Sequence, residues 1–296
     1  MKKNLSKSAA IVGVAESDAI GLVPGKSALA LHAEAASNAL TDAGISRSEV
    51  DGLLTAGYWN YDLADYLGIK PRYTDTTTVG GASFVIHVGH AVSAIAAGLC
   101  EVALITHGQS GRSTRAPMPR DPNVPSAMYE MPYGMIGMPI NYSMAATRYM
   151  HMYGEERTRQ AMAEIAVSTR KWAQLNPKAS MKEPMSFDDY HNSRWISWPF
   201  HLLDCCLVTD AGAAVVVTSK KRAANLPKKP VWVLGHSEYH DHAGITTMQN
   251  LTVTPAKVTG PEALGMAGVS HKDIGLSMIY DSFTYTVLAS LESLGY

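Results

Sequence analysis

The stretch TTTVGGASF, residues 76–84, has a pattern at which many enzymes present catalytic groups. It predicts a β-strand that passes through a Gly-Gly turn into an apolar helix. The turn contains Gly80, Gly81, Ala82 and Ser83, and no His or Lys stands beside Ser83 in sequence to activate its hydroxyl. Backbone N–H groups at the positive end of the helix can bind a negatively charged oxygen. The turn therefore offers no activated nucleophile: it can present backbone N–H groups, or Ser83 can attack.

Other residues with metal or thiol chemistry are few. His87 and His90 lie three apart on the predicted helix, and no third metal ligand occurs at a suitable spacing. The three cysteines, Cys100, Cys205 and Cys206, are too few for a disulfide framework and are not at metal-ligand spacing. We therefore expect no metal site, hydrogen-bonded core histidines, small apolar packing of Cys205 and Cys206, and a reducing cytoplasm.

Composition argues against several classes of protein. The chain has 296 residues, of which 46% are hydrophobic and 17% charged, as is ordinary for a globular enzyme of about two domains. A net charge of −1 without long runs of one sign argues against nucleic-acid binding. The apolar run near the N-terminus is too short for a signal peptide or a membrane span.

The elements around the turn alternate between strand and helix patterns. Strands are predicted at residues 9–17, 49–57, 72–80, 101–108 and 213–218, and helices at residues 27–44 and 84–99. The second helix is apolar on nearly all sides, which suits a helix buried between layers. This alternation predicts an α/β fold with a mainly parallel sheet that is covered on both faces.

Residues 109–200 have a different texture, with several prolines, many Tyr and Met residues and a long amphipathic helix at 155–175. They interrupt the chain between the fourth predicted strand and the strand at 213–218. We therefore interpret them as an inserted loop domain, and insertions of this size commonly form lids or binding loops.

The sequence also repeats itself. Residues 230–239 (PVWVLGHSEY) resemble residues 9–17 (AAIVGVAES), and residues 267–281 (AGVSHKDIGLSMIYD) resemble residues 43–57 (AGISRSEVDGLLTAG). Two matched blocks in one order indicate an internal duplication. We predict two related halves, residues 1–226 and residues 227–296, with the loop domain inserted in the first.

The second half is shorter than the first, because Tyr296 corresponds to Arg72 of the first copy. A sheet without the later strands would expose unpaired edges and apolar surface. We therefore expect a second half that is truncated relative to the first, with a genuinely smaller second domain as the alternative.

Together these features resemble the thiolase superfamily. Residues 202–219 (LLDCCLVTDAGAAVVVTS) look like the segment that returns from the thiolase loop domain, and residues 175–205 are similar to sterol-carrier-protein-type thiolases. The motif YDSFT, residues 280–284, looks like the Asn-Glu-Ala-Phe or His-Asp-Cys-Phe motif that opens the second thiolase half. The resemblance covers nearly the whole chain and implies duplicated α-β-α-β-α halves.

The turn departs from this superfamily where its chemistry lies. Thiolases place a nucleophilic cysteine where the third strand meets the buried helix, and this chain has Gly81 there. Glycine cannot form a thioester, so cysteine-borne acyl transfer is excluded at this position. A Gly-Gly-Ala-Ser turn together with Tyr280 resembles the thiolase-like, lipid-transfer-protein-like aldolases that cleave steroid side chains as CoA thioesters.

That resemblance implies retro-aldol cleavage of a β-hydroxyacyl-CoA, without a cofactor beyond the CoA of the substrate. The turn would bind the enolate oxygen, and Tyr280 would be the base, with His107 at the end of the fourth strand as its partner. Asp281 would either orient a partner or face the subunit core, and the alternative for Tyr280 is a core-edge tyrosine with a bonded hydroxyl. An unperturbed tyrosine is only about 0.1% ionised at pH 7, a handicap of roughly 4 kcal/mol. A donor or positive charge would have to lower its pKa.

Contacts with the rest of the substrate are expected in the loop domain. Seven of the 15 methionines fall between Met128 and Met152, interleaved with tyrosines. They predict either a pocket for a bulky acyl group, with Tyr133, Met135 and Met138 in its wall, or plain packing. Three arginines follow the fourth strand and would either meet CoA phosphates or face solvent: Arg112, Arg115 and Arg120.

Two other functions stay open. One is an acyltransferase of the acetyl-CoA acetyltransferase type that takes its cysteine from an absent C-terminal segment. The other is a non-catalytic lipid- or acyl-CoA-binding protein, whose ligand binding would be unchanged by Tyr280→Phe. By resemblance we also expect a homodimer formed through the N-terminal half and a small OB-fold partner protein, and we expect neither nucleic-acid nor membrane association.

Overall fold

The computed structural model describes residues 5–115 and 121–296. The strands in these ranges are β1 Ala9–Glu16, β2 Gly52–Thr55, β3 Tyr73–Asp75, β4 Val102–Ser110, β5 Trp195–Ser197, β6 Phe200–His201, β7 Asp210–Ser219 and β8 Val231–Trp232. The α-helices are α1 Ala28–Ala43, α2 Asn60–Leu67, α3 Ser83–Ala96, α4 Gly111–Thr114, α5 Pro125–Glu130, α6 Met138–Tyr153, α7 Glu155–Gln174, α8 Phe187–Asn192, α9 Lys220–Ala223, α10 Ala256–Ala267 and α11 Thr284–Leu294. Over these ranges, no helix combines the length and the apolar character that a membrane span needs.

The chain divides into two compact units, each assembled from separate stretches of sequence. The first unit consists of Met1–Ala116, Val208–Ser237 and Glu262–Ser270. The second unit consists of Pro117–Leu207, Glu238–Pro261 and His271–Tyr296. The halves that the repeat predicts, residues 1–226 and 227–296, are a different division of the chain and stay a prediction.

The first unit contains a six-stranded sheet in the order β3-β2-β4-β7-β1-β8. Strand β2 runs parallel to β3 and β4, whereas β7 runs antiparallel to both of its neighbours and β8 runs antiparallel to β1. The prediction of a mainly parallel sheet was therefore wrong, and the sheet is mixed. A strand buried on both faces has the same apolar sequence in either direction, so composition did not reveal the reversal of β7.

Helices cover this sheet on both faces, as predicted. Leu53 and Leu54 are neighbours in β2 and both are completely buried. Because successive strand residues point to opposite faces, Leu53 packs in the cluster that contains residues of α1, and Leu54 packs in the cluster that contains residues of α3. Each such leucine contributes about 1.5–3 kcal/mol by burial.

The first helix has the boundaries that its sequence predicts. Ser27 Oγ accepts the N–H of Ala30 at 3.2 Å, which caps the N-terminus. Gly44 ends the helix in the left-handed conformation, with φ 66°, and donates its N–H to the carbonyls of Leu40 and Thr41.

The internal repeat recurs as a packing detail. A Cβ built on Gly13 would lie 2.4 Å from the Ala39 carbonyl oxygen, and one built on Gly235 would lie 2.1 Å from that of Ala263. Each glycine therefore lets its own segment approach the backbone of a helix directly, α1 for Gly13 and α10 for Gly235. The matching glycines Gly44 and Gly268 both have positive φ, at 66° and 70°.

The second copy differs from the first at the segment that matches β2. Residues 275–279 belong to no strand, and Met278 is 89% exposed. This is an unpaired apolar segment of the kind that the sequence predicts for the shorter half.

The second unit has its own core. Helices α6, α7 and α11 meet around Phe200 and Phe283, whose rings stack at 5.0 Å. The predicted helix at 155–175 is α7, and its buried Met162 belongs to the same core. A short antiparallel pair, β5 and β6, stands just before the chain returns to the first unit.

Candidate functional site

The Gly-Gly turn is held by its own serine. Gly80 has φ 77°, in the left-handed region that favours glycine, and α3 begins three residues later at Ser83. The completely buried Ser83 accepts the N–H of Val79 at 2.9 Å and donates to the carbonyl of Gly80 at 2.6 Å. Both functions of this hydroxyl serve the turn, which argues against Ser83 as a nucleophile.

The same contacts reduce the set of expected oxyanion donors. The N–H of Ser83 donates to the Gly80 carbonyl at 3.1 Å and is therefore used inside the turn. Gly81 and Ala82 are exposed, and Ala82 is the N-cap residue of the 14-residue helix α3. The candidate cradle is thus the backbone of Gly81 and Ala82 at the positive end of this helix.

The link between β3 and the turn is fixed by two histidines. Strand β3 ends at Asp75, earlier than predicted. His90 Nδ1 contacts Asp75 Oδ2 at 2.5 Å, and His87 Nε2 lies 3.0 Å from the carbonyl oxygen of Thr77. Both histidines are hydrogen-bonded, as expected, but only His87 lies in the core, because the side chain of His90 is partly exposed. The described residues contain no group of three or more ligands that suits a metal ion.

His107 lies inside β4 rather than at its end, because the strand continues to Ser110. Its ring is 4.7 Å from that of Phe84, in the first turn of α3, so the first unit brings His107 beside the turn. Burial lowers the pKa of His107, and a hydrogen bond with Gln109 opposes this only in part. Its buried Nδ1 has no hydrogen-bond partner among the described residues. The surroundings of His107 therefore favour its neutral form.

A second histidine, which the sequence analysis did not identify, lies behind it. His32 in α1 is buried, and its Nδ1 contacts Thr106 Oγ1 at 2.9 Å. Burial and, second, the neighbouring His107 lower the pKa of His32 to about 4. A Cβ on Gly108 would lie 2.5 Å from the Ala28 carbonyl oxygen and 2.6 Å from His32 Cδ2, so glycine leaves room for the backbone of α1 and for the ring. A glycine near the end of a buried strand was the available signal.

Tyr280 is in the second unit, in an irregular segment before α11, and is 52% exposed. Burial raises the pKa of Tyr280 above its ordinary value, and Cys206 and Tyr142 raise it further. The neighbouring Asp281 acts on this pKa in the same direction. A base needs the opposite shift, so the expectation of an ionised tyrosine has to be corrected. The surroundings of Tyr280 in the second unit therefore favour its protonated form.

Cys206 and Tyr142 are therefore neighbours of Tyr280 that sequence reasoning missed as site residues. Cys205 packs against the core of the second unit, as expected, but Cys206 is exposed. Burial, and then the charge of Asp281, raise the pKa of the Cys206 thiol. This proximity could not be predicted from sequence patterns, because more than 70 residues separate Cys206 from Tyr280.

The three residues predicted for the acyl pocket do not share one environment. Tyr133 is 85% exposed and Met138 is also exposed, whereas Met135 is buried. Several other large apolar side chains of residues 128–138 are exposed as well: Met128, Tyr129, Met131 and Ile136. Met135 is therefore a packing residue, and contacts of Tyr133 and Met138 with an acyl group stay a prediction.

Of the arginines after β4, Arg112 contacts a buried carboxylate, and it does so through its backbone. Asp210 accepts N–H groups from Val23, Arg112 and Ser113 and the hydroxyl of Ser113. Burial alone would raise the pKa of Asp210, but these hydrogen bonds lower it to about 2. Asp210 thus ties α4 to β7, while Arg120 lies outside the described residues. No described contact assigns Arg112 or Arg115 to a phosphate.

Comparisons with known proteins agree on one relationship. Residues 237–296 match the family described as Thiolase C-terminal domain-like. The chain is 33% identical over 313 residues to the steroid side-chain-cleaving aldolase of Thermomonospora curvata, which aligns 99% of this chain and 78% of that protein. It is 33% identical over 310 residues to the 17-hydroxy-3-oxo-4-pregnene-20-carboxyl-CoA lyase of Mycobacterium tuberculosis, which aligns 99% of this chain and 80% of that protein.

A solved structure shows the same relationship in three dimensions. The Ltp2-ChsH2(DUF35) aldolase superimposes with a TM-score of 0.91 at 33% identity, over 98% of this chain and 78% of that chain.

Proposed function

This chain belongs to the family of the thiolase-like, steroid side-chain-cleaving aldolases, and from that premise we propose that it cleaves a steroid-like β-hydroxyacyl-CoA by a retro-aldol reaction. One observation carries the choice of this chemistry over acyl transfer. Gly81 stands where thiolases have their cysteine, and the hydroxyl of the adjacent Ser83 is used to hold the turn. What the turn offers is backbone N–H groups.

The reaction requires three movements of charge. A base removes the proton of the β-hydroxyl group, and the Cα–Cβ bond breaks as the new carbonyl forms. The bonding electrons move to the thioester oxygen as an enolate, and a proton then returns to Cα. The products are a ketone and a shortened acyl-CoA, and the CoA of the substrate is conserved.

We assign to the turn the role of binding the enolate oxygen. The N–H groups of Gly81 and Ala82 would donate to it at the positive end of α3. Donors of this kind are each worth about 3 kcal/mol when they are aimed at developing charge.

The proton-transfer roles differ from those expected from the sequence. His107 is neutral and has an unpartnered Nδ1, which suits acceptance of the hydroxyl proton. Tyr280 has a raised pKa, which suits donation of a hydrogen bond or a proton rather than its removal. Asp281 and Cys206 are assigned to the surroundings of Tyr280, and Tyr133 and Met138 to the acyl group.

The test is cleavage of a defined thioester. The purified chain is incubated with 17-hydroxy-3-oxo-4-pregnene-20-carboxyl-CoA and, as control, with the same thioester lacking the 17-hydroxyl group. We expect a 17-ketone and a shortened acyl-CoA from the first compound only, detected by liquid chromatography and mass spectrometry. Absence of both products, with the chain alone and with a DUF35 partner added, would contradict the proposal.

The acyltransferase alternative predicts a different species. A covalent acyl-enzyme would increase the intact mass of the protein by the mass of the acyl group during turnover. The retro-aldol route forms no bond between the protein and the substrate, so the mass of the protein should stay unchanged.

Assembly and location are also proposals. We assign a homodimer to the first unit, because β3 is the edge strand of its sheet. A small OB-fold partner is supported by the solved relative, whose name pairs Ltp2 with ChsH2(DUF35). The cysteine content supports a cytoplasmic location.

A further inference from the structure

Two stretches of the second unit, far apart in sequence, are joined in antiparallel order. The contacts are Asp204 with Thr284, Cys205 with Phe283, and Cys206 with Ser282. The first is a hydrogen bond of 2.5 Å from Thr284 Oγ1 to Asp204 Oδ1, and the last joins the Cys206 N–H to the Ser282 carbonyl at 3.1 Å. We call this set the 204–206 clamp. Tyr280 and Asp281 immediately precede it.

The clamp is built around the buried carboxylate of Asp204. Besides the bond from Thr284, its Oδ1 accepts the hydroxyl of Tyr190 at 2.7 Å. Its Oδ2 accepts the backbone N–H of His201 at 2.7 Å. One side chain therefore ties α8, the turn after β6 and the first residue of α11 together.

Tyr280 lies in a segment without regular secondary structure. Residues 274–281 belong to no helix or strand, and Tyr280 is about half exposed. The contacts of Ser282, Phe283 and Thr284, which follow it directly, therefore limit where its hydroxyl can lie. A hydrogen bond to a buried carboxylate is stronger and more directional than one between neutral groups.

We propose that Asp204 is a positioning residue that, through Thr284, places Tyr280 for its role in catalysis. The effect on turnover rests on the proposed lyase function, whereas the effect on the placement of Tyr280 does not. Asp204 would not touch the substrate.

Two substitutions separate positioning from general stability. Thr284→Val and Tyr190→Phe each remove one hydroxyl donor to the same oxygen of Asp204 at nearly constant volume, but only Thr284 is on the segment that bears Tyr280. We expect Thr284→Val to lower kcat about tenfold or more with little change in KM. Tyr190→Phe should leave kcat within about twofold, although it should lower Tm by about as much as Thr284→Val does. Equal losses of kcat, or no loss in Thr284→Val, would overturn the proposal.

A conservative rescue gives a second readout. Asn at position 204 can still accept the His201 N–H, and the two hydroxyls can reverse to accept from its amide group. Asp204→Asn should therefore retain most of the kcat that Asp204→Ala loses. Equal kcat in these two variants would contradict positioning through the hydrogen bonds.

A spectroscopic experiment decides the point without turnover. With 3-fluorotyrosine incorporated, the fluorine resonance of Tyr280 is assigned by its loss in Tyr280→Phe. Thr284→Val should shift or broaden this resonance, and Tyr190→Phe should not. An unchanged resonance in Thr284→Val would refute the positioning role even in an active lyase. A shifted resonance in a chain that cleaves no β-hydroxyacyl-CoA would refute the proposed function and leave the positioning role intact.

Discussion

The two hydroxyl groups singled out by the sequence, those of Ser83 and Tyr280, owe their chemistry to their neighbours. Ser83 is completely buried, and its oxygen both accepts and donates within the turn. Tyr280 is half exposed, and its surroundings favour the neutral form. The contacts of Ser83 argue against a nucleophile, and the raised pKa of Tyr280 argues against a base.

The ionisation of Tyr280 gives a prediction in pH. Because its pKa is raised from 10, Tyr280 stays protonated throughout neutral pH, and a donor role gives no activity limb between pH 6 and 9. We expect Tyr280→Phe to lower kcat about 100- to 1,000-fold without changing the shape of the pH–rate profile in that range.

A tyrosinate base would behave differently. It would give a limb near neutral pH in the native protein that disappears in Tyr280→Phe. Tyr66→Phe, at an exposed tyrosine of the first unit, is the matched control and should retain native kcat and native pH dependence.

At the scale of elements, periodicity and caps located most helices and strands of the first unit. Helix α1 begins and ends at its predicted cap residues, because these signals act within a few residues of the chain. The direction of β7 and the early end of β3 depend on the strands with which they pair, β4 and β2. These partners are distant in sequence, so local patterns do not reveal the pairing. The loss of strand structure at residues 275–279 has the same origin, since a strand exists only with a partner.

The close approach of β1 to α1 gives a prediction at this scale. Gly13→Ala would place a Cβ 2.4 Å from a backbone oxygen of α1, and a backbone atom cannot move aside cheaply. We expect a loss of about 3 kcal/mol in the free energy of unfolding, measured by urea denaturation.

Gly25→Ala is the matched control. A Cβ at Gly25 meets nothing within 4 Å, and its φ is not in the left-handed region. This variant should unfold within about 0.5 kcal/mol of the native chain. A similar loss in both variants would show that helix–strand contact is not the cause.

At the scale of the whole chain, the buried histidine pair of the first unit links stability to pH. The pKa of His32 falls from its model-compound value of 6.5 to about 4 in the fold, so the folded chain binds its proton less readily than the unfolded chain. Stability from this group is therefore complete above pH 6.5 and is lost as pH falls toward 4. The slope is at most about 1.4 kcal/mol per pH unit for one proton.

A variant that cannot be protonated should flatten this dependence. We expect His32→Asn to be less stable than the native chain at pH 7.5 but to lose less stability between pH 6.5 and 4.5, as measured by urea denaturation at each pH. His151→Asn, at an exposed histidine, should keep the native slope. An unchanged slope in His32→Asn would contradict the assignment.

The repeat, the α/β class, the thiolase resemblance and a glycine in the place of the thiolase cysteine could all be read from the sequence. These features follow from residue identity and local spacing, which act before the chain folds. The use of the Ser83 hydroxyl inside the turn, the surroundings that raise the pKa of Tyr280, and the hydrogen bond from Thr284 to Asp204 became visible only in the folded chain. Hydrogen-bond partners and burial set those properties, and both come from residues brought together across long stretches of chain.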